Sequence, residues 1–302
     1  METRFVTRRE VIKKAAMAGL VFSQIRAAPD LRAADADRAR EPGDAAPLLK
    51  LGVATYSLRQ LSVDAAIAAL QALQVTSVSV FRQHVPILVG TPEECRAAAQ
   101  KFRSAGLAIA ATGVVTLTAS EATMRKAFEC GRAAGLTTMT ASYAAPPDRA
   151  TLQLTERFVR EYGIRLAFHN HGPEDAVFPS PYDVWNTVQP YDERLGLCLD
   201  VGHAVRAGAD PVEAIFKCRA RLYDVHIKDT LAGAGDKKDR PAEMGLGRLD
   251  LRAIMSALQQ IQFKDQVGLE YEVESADPVP GVARSFGYMC GMRDALRTPV
   301  RT

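Results

Sequence analysis

The feature that most constrains this chain is an eightfold alternation of short apolar runs, rich in β-forming residues, with segments of helical periodicity. It begins with KLGVATY (50–56), which is followed by an apolar stripe at helical spacing between Val63 and Leu73. Runs such as LGLCL (195–199) are continuously apolar, as in strands covered on both faces. The eight predicted strands are 50–56, 77–81, 107–115, 136–142, 164–169, 195–200, 222–228 and 267–271.

Eight strand–helix units in about 250 residues are typical of a (β/α)₈ barrel. The competing architecture is a doubly wound open sheet. It is disfavoured because no glycine-rich dinucleotide or phosphate motif follows the first strand. We therefore predict a single (β/α)₈ TIM barrel over residues 48–302, preceded by a segment of another kind.

Residues 1–47 do not share the alternation. The adjacent Arg8 and Arg9 precede a short apolar stretch at 15–23, and the segment 26–47 is rich in Ala, Asp and Arg without apolar periodicity. This order is typical of a twin-arginine export signal followed by a flexible linker. We expect export to the periplasm, or a cytoplasmic location if the segment is only a basic tail.

Charge and cysteine content exclude several classes of protein. With 38 basic and 35 acidic residues, the net charge of +3 is too small to favour nucleic acid or an anionic membrane. The five cysteines include no C-x-x-C pair, which argues against a zinc-finger array or a disulfide framework. No uncharged apolar run approaches the ~20 residues that cross a bilayer. We expect no nucleic-acid partner and no integral membrane partner.

Metal-capable side chains stand at the ends of four successive predicted strands. These strand ends read FHNHG (168–172), LDVGH (199–203), DVHIKD (224–229) and GLEYE (268–272). Since the carboxyl ends of barrel strands share one face, we expect a His, an Asp, a His and a Glu to converge there. Buried imidazoles and carboxylates are costly unless they pair or bind metal. The sequence therefore predicts a polar reaction centre at the barrel mouth.

The whole barrel resembles the xylose isomerase-like TIM-barrel superfamily, also called the sugar phosphate isomerase/epimerase family. The segments that carry the resemblance are LAFHNHG (166–172), LCLDVGHAVRAG (197–208), DVHIKD (224–229), GLGRLDL (245–251) and GLEYE (268–272). Members include ketose 3-epimerases, hydroxypyruvate isomerases, inosose and dehydroshikimate dehydratases, and endonuclease IV. Many use one divalent metal ion, and by position the implied ligands here are His169, Asp200, His226 and Glu270.

Mixed nitrogen and oxygen ligation does not select one metal sharply; we expect Mn²⁺ first, then Co²⁺, Zn²⁺ or Mg²⁺. The chain departs from the family at His169, where many relatives have a glutamate that also moves a proton in epimerases. This departure argues against a symmetrical two-glutamate epimerisation. A second departure is Leu246, where a polar residue is frequent.

Proton transfer next to a carbonyl needs a positioned acid–base group, and a metal ion can polarise the carbonyl oxygen. The resemblance implies that Glu270 combines ligation with proton transfer. We expect His171 or His203 to be the second acid–base group and Lys228 to bind an oxyanion or a hydroxyl. The predicted substrate contacts are Tyr56, His84 and Asn170.

Some of these residues have purely structural alternatives. His203 can bond to its own loop, and Lys228 can form an ion pair with Asp229. Glu174 reads as a solvated loop acid. The segment 233–247 is either a mobile lid over the site or a solvated loop.

The first function that we expect is a divalent-metal-dependent isomerase or epimerase that removes a proton next to the carbonyl of a ketose or keto-sugar. The alternative is a lyase or dehydratase that completes the same proton removal with a β-elimination, for example on a 3-keto-glycoside or a keto-inositol. The near-neutral charge and the export signal disfavour a repair nuclease. A non-catalytic sugar-binding barrel is a further alternative. The expected partner is a small carbohydrate, and a homo-oligomeric state is left open.

Overall fold

The structure is a computed structural model that describes residues 48–233 and 239–296, so the predicted export signal and linker at 1–47 lie outside the described residues. Within the described residues the strands are β1 (Lys50–Ala54), β2 (Ser77–Val80), β3 (Ala108–Thr112), β4 (Val115–Leu117), β5 (Thr138–Tyr143), β6 (Arg165–His169), β7 (Leu195–Asp200), β8 (Leu222–Ile227), β9 (Asp229–Leu231), β10 (Arg240–Ala242) and β11 (Gln266–Leu269). Each predicted strand is present, and the third is interrupted at Gly113.

The described helices follow the predicted pattern. They are α1 (Val63–Ala72), α2 (Pro92–Ser104), α3 (Glu121–Ala133), α4 (Arg149–Tyr162), α5 (Pro181–Val188), α6 (Val201–Arg206), α7 (Pro211–Cys218), α8 (Leu251–Gln260) and α9 (Val279–Ala295), with short 3₁₀ helices at Thr55–Leu58 and Arg219–Arg221. The short helix α6 follows β7 directly and is not among the predicted helices. Local signals start most helices, as at α2, where the N-cap Thr91 and Glu94 form a capping box and Pro92 is the first helical residue.

Nine strands form one parallel sheet in the order β3-β2-β1-β11-β8-β7-β6-β5-β4. Since β3 and β4 at the two ends are halves of one interrupted strand, the sheet is a nearly closed eight-strand barrel. The prediction of a TIM barrel is confirmed. The separate hairpin of β9 and β10 is antiparallel, and β10 forms part of the segment 233–247 that the sequence predicts as a lid or a solvated loop.

Apolar helix faces cover the outside of the barrel. Phe102 of α2, Phe128 of α3 and Phe158 of α4 are fully buried, and the rings of Phe128 and Phe158 stack with their centroids 5.4 Å apart. Dense packing of this kind fixes the positions of the strands, and therefore of the side chains at their ends.

A side chain joins β3, at one end of the sheet, to β5, the strand next to the other end. The Oγ1 atom of Thr112, at the end of β3, accepts a hydrogen bond from the backbone nitrogen of Thr140 on β5 at 3.0 Å and donates one to the Thr140 carbonyl oxygen at 3.1 Å. Both residues are buried. One hydroxyl therefore satisfies two backbone groups at the seam of the barrel, which would otherwise be buried without partners.

We expect Thr112→Val to destabilise the protein by about 1–3 kcal/mol, because it leaves a buried N–H and a buried carbonyl unpaired while preserving side-chain volume. Thr112→Ser, which keeps the hydroxyl, is the matched control and should lose less. The measurement is urea denaturation followed by circular dichroism. Equal stability of the two variants would show that the seam does not depend on this hydroxyl.

Candidate active site

Four strand ends bring their metal-capable side chains together. His169 ends β6, Asp200 ends β7, His226 lies near the end of β8, and Glu270 follows β11 directly. All four are buried, and one ligand atom of each lies within 4.8 Å of one from every other. The convergence expected from the sequence is therefore present in the geometry, whereas the role of these residues as metal ligands stays a prediction.

Three of these four residues have nitrogen or oxygen atoms without a hydrogen-bond partner. Both ring nitrogens of His169, both ring nitrogens of His226 and the Oδ2 atom of Asp200 are buried without one in the described structure. Members of the group lie at ion-pair distance from one another: His169 Nε2 lies 3.5 Å from Asp200 Oδ2, and His226 Nδ1 lies 3.5 Å from Glu270 Oε2. Buried polar atoms are normally satisfied, so a cluster of unsatisfied nitrogen and oxygen donors fits a divalent cation.

Local structure turns the carboxylate of Asp200 towards this group. Asp200 is also the N-cap of α6, where its Oδ1 accepts the backbone N–H of His203 at 2.7 Å. The amide of Asn170 donates to the Asp200 carbonyl oxygen and accepts from the Asp200 nitrogen, both at 3.0 Å. With its backbone and one carboxylate oxygen held, Asp200 has only Oδ2 left to face the cluster.

Lys228 carries a buried ammonium into the same cluster. Its Nζ lies 3.2 Å from Asp200 Oδ2, 3.0 Å from Glu270 Oε2 and 2.9 Å from Glu272 Oε2. Burial by itself would lower the pKa of Lys228, but the three carboxylates outweigh it and raise that pKa well above its ordinary value. Lys228 is therefore an ammonium at neutral pH.

The carboxylates respond in the opposite direction. Burial opposes their ionisation, yet the positive charge of Lys228 holds the pKa of both Asp200 and Glu270 well below the ordinary range.

The alternative that Lys228 pairs with Asp229 is wrong, because the Asp229 carboxylate accepts backbone N–H groups, including those of Gly245 and Gly247. The same contact accounts for the glycine at position 247 in the motif GLGRLDL (245–251), because a Cβ at this position would lie 2.0 Å from Asp229 Oδ1.

A pocket opens above the cluster, with one apolar and one polar side. Its lining residues are Tyr56, Phe81, Val114, His169, His171, His203, Lys228, Glu270 and Glu272. The rings of Tyr56 and Phe81 pack edge to face with centroids 4.8 Å apart and form an aromatic wall. A sugar has apolar C–H faces and polar hydroxyl edges, so a cavity of this composition suits it.

Two predicted substrate contacts do not line this pocket. His84 is buried away from it, with Nδ1 2.8 Å from Thr55 Oγ1 and Nε2 3.2 Å from the Leu61 carbonyl oxygen, so its ring has no nitrogen left for a ligand. Asn170 is also fully buried, and its amide is engaged with the Asp200 backbone. In the described structure both residues are bonded to the surrounding scaffold, whereas Tyr56 lines the pocket; contact of these residues with a substrate stays a prediction.

The two further histidines of the pocket are neutral. Burial, together with the nearby His169, lowers the pKa of His171 to about 4. Burial lowers the pKa of His203 to about 3 against the opposing charge of Asp200. The Nδ1 of His171 lies 3.6 Å from Asp175 Oδ2. A neutral imidazole beside a carboxylate can accept a proton and have the resulting charge stabilised.

The structure adds residues that the sequence analysis misses. Glu272 lines the pocket, and its position two residues after Glu270 was a usable signal because alternate residues of an extended chain share a face. Asp224 is buried, accepts the Thr140 hydroxyl at 2.8 Å and has Oδ2 3.4 Å from His226 Nε2. Glu174 is not a simple solvated acid, because both its oxygens accept from Arg206.

Comparison with known proteins gives partial matches to curated relatives. The chain is 27% identical over 153 residues to the rhizopine catabolism protein MocC of Rhizobium meliloti, covering 46% of each protein. It is 32% identical over 79 residues to a probable endonuclease 4 of Mycobacterium ulcerans, covering 25% of this chain and 31% of that one. The chain thus spans less than half the length of these relatives.

In the described part of the chain no helix is long and apolar enough to cross a membrane.

Solved structures share the fold along most of the chain. Mannonate dehydratase from Streptococcus suis superposes with a TM-score of 0.63 at 14% identity, covering 82% of this chain and 93% of that one. D-allulose 3-epimerase from Methylomonas sp. gives a TM-score of 0.63 at 14% identity, covering 82% and 100%. A family model described as xylose isomerase-like TIM barrel matches residues 67–291. The chain therefore belongs to the xylose isomerase-like TIM-barrel family.

Proposed function

We propose that this chain is a divalent-metal-dependent sugar isomerase or epimerase that removes a proton next to the carbonyl of a ketose or keto-sugar. The observation that carries the proposal is the convergence of four buried metal-capable side chains, three of them with unsatisfied polar atoms, beneath a pocket with an aromatic wall. Membership of a family whose solved neighbours include an epimerase and a dehydratase supports an enzyme that acts on a sugar or sugar acid.

The proposed ligands are His169, Asp200, His226 and Glu270. Two imidazoles and two carboxylates suit Mn²⁺ best in our proposal, with Co²⁺, Zn²⁺ and Mg²⁺ as alternatives. When bound, the cation would act as a Lewis acid on the carbonyl oxygen of the substrate.

The side chains of the pocket are the groups that we propose bind the substrate and transfer the proton. Glu270 and His171 line the same pocket and are the proposed groups that take up and return the proton. Lys228 keeps the carboxylate of Glu270 ionised and stands where it can donate to a substrate oxygen. Tyr56 supplies the aromatic wall against which a sugar face can pack. Together the pocket groups hold the substrate and move one proton.

A lyase is the second candidate because of the residue at position 169. His169 stands where many relatives carry a proton-transferring glutamate, so the site lacks a symmetrical pair of carboxylate bases on its two sides. A β-elimination needs one base for the proton and one acid for the leaving group. His171, which is neutral at rest, can take the proton next to the carbonyl and, as the resulting imidazolium, give it to the leaving group, so the pocket suits an elimination as well as an isomerisation.

We expect metal removal to abolish turnover and metal to bind in a one-to-one ratio. The full-length protein, stripped with a chelator, should bind one Mn²⁺ per chain in a calorimetric titration. Asp200→Asn should weaken that binding by more than about 100-fold, since even supporting residues of a metal site contribute 10–100-fold. His84→Gln alters a buried histidine outside the pocket and is the control. Unchanged affinity in Asp200→Asn, or turnover that survives exhaustive chelation, would contradict the metal site.

The reaction type is expected to show in deuterium exchange. Mn²⁺-loaded protein is incubated in D₂O with unphosphorylated ketoses and keto-glycosides, and products are analysed by NMR and mass spectrometry. Deuterium next to the carbonyl without loss of a group indicates isomerisation, whereas an unsaturated product indicates elimination. Glu270→Gln should lower kcat by about 10²–10⁴-fold, the usual contribution of a general base. Sugar binding without turnover, or cleavage of abasic DNA instead, would refute the proposal.

A further inference from the structure

Two arginines flank the aromatic wall of the pocket, just after β1 and β2. The guanidinium carbon of Arg59 lies 4.5 Å from the centroid of the Tyr56 ring. The guanidinium carbon of Arg82 lies 5.6 Å from the centroid of the Phe81 ring. Since both rings line the pocket and both arginines follow strand ends, the two cations lie beside the apolar side of the pocket, at the mouth of the barrel.

Arg59 is held in place and has hydrogen-bond donors to spare. Its side chain is half-buried against the Tyr56 ring, and its Nη1 donates to the Tyr56 carbonyl oxygen at 3.2 Å. A guanidinium carries several N–H donors in one plane, so most of them remain available. In the described part of the chain neither Arg59 nor Arg82 has a carboxylate at ion-pair distance. Both cations therefore lie beside the pocket without a counter-ion.

The chain places no acid around these two arginines along its own sequence. The segments 55–62 after β1, 81–91 after β2 and 113–120 after β3 contain no Asp or Glu. On the polar side of the pocket, by contrast, the carboxylates of Asp200, Glu270 and Glu272 surround Lys228. The mouth of the barrel is thus polarised, with carboxylates on one side of the pocket and unpaired guanidinium groups on the other.

We propose that Arg59 and Arg82 bind an anionic group of the substrate, a carboxylate or a phosphate, so that the substrate is an acidic keto-sugar. The planar fork of a guanidinium matches two oxygens of either group. The carboxylates on the polar side repel such a group, whereas the arginines attract it. A single orientation therefore places the anion at the aromatic wall and the carbonyl near Lys228. The substrate class rests on the proposed function, but the anion site does not.

The anion site can be tested without a sugar substrate and without a metal. Phenylglyoxal modifies accessible arginines, and mass spectrometry of peptides gives the rate at each one. In the metal-free full-length protein, inorganic phosphate or D-gluconate should slow the modification of Arg59 and Arg82 at least about threefold relative to chloride at equal ionic strength, because occupancy protects them.

Arg132 is the internal control for this experiment. Its guanidinium carbon also stacks on a tyrosine, 4.6 Å from the centroid of Tyr162. It lies in the last turn of α3, where the chain returns to the start of a strand, at the end of the barrel opposite the mouth. Its rate of modification should be the same in phosphate, gluconate and chloride.

Three ketoses that differ only at the last carbon measure the consequence for the sugar. D-fructose, D-fructose 6-phosphate and D-fructuronate are titrated calorimetrically into the Mn²⁺-loaded protein. One of the two acids should bind at least about tenfold more tightly than D-fructose, as expected for hydrogen bonds to a charged group. This advantage should shrink as added salt screens the charges. The acid that binds more tightly identifies the anionic group as carboxylate or phosphate.

Substitutions assign that advantage to the two arginines. Arg59→Met combined with Arg82→Met should weaken binding of the favoured acid by at least about fivefold, and binding of D-fructose by much less. Lysine at both positions keeps the charge and should restore part of the affinity. Arg132→Met is the matched control and should change neither affinity. Circular dichroism checks that each variant is folded.

Equal rates of modification of Arg59 and Arg82 in phosphate, gluconate and chloride would overturn the anion site. So would a folded double methionine variant that binds the favoured acid as tightly as the unaltered protein. Equal affinity for the three ketoses would refute the acidic substrate. Protected arginines in a protein that binds none of the three ketoses would support the anion site and count against the proposed function.

Discussion

The site depends on one buried ammonium. Asp200, Glu270 and Glu272 bring three carboxylates to within 3.2 Å of Lys228 Nζ at the mouth of the barrel. Without that positive charge the three acids would repel one another, and burial would favour their protonated forms. Lys228 therefore keeps the carboxylates ionised and close together. The two further imidazoles of the pocket, His171 and His203, are neutral mainly because burial lowers their pKa values, and Lys228 adds to that effect.

The barrel supplies the precision that such a cluster requires. Each converging side chain stands at or next to a strand end, and neighbouring strands are held in register, as where Asp200 pairs with His226. Residues that never touch the pocket complete the alignment: Asn170 holds the backbone of Asp200, and the N-cap of α6 holds one of its oxygens. A shift of about 1 Å in such a scaffold is enough to impair catalysis, which is why positioning residues matter.

The sequence is sufficient to predict the features that depend on hydrophobic periodicity and on which residues end the strands. It predicts the barrel, and it predicts that His169, Asp200, His226 and Glu270 converge, because parallel strands finish at one face. It could not predict where loop side chains point. His84 also follows a strand, yet a turn directs its ring to Thr55 and Leu61. The ion pair between Glu174 and Arg206 could not be predicted either, because the two residues are 32 positions apart and meet only in the folded chain.

The charges in the cluster give an independent argument for a cation. The carboxyl groups of Asp200, Glu270, Glu272 and Asp224 face two basic groups with a raised pKa, Lys228 and His226. Burial lowers the pKa of His226, but the nearby acids, including Glu270 and Asp224, outweigh it and raise that pKa well above its ordinary value. Acidic groups therefore outnumber these basic ones by two. Burying such an excess is costly, and proteins tolerate it where a positive ligand completes the site. A divalent ion has the required charge. If such an ion is bound, His169, Asp200, His226 and Glu270 are the residues that would hold it, and it would supply positive charge beside Lys228.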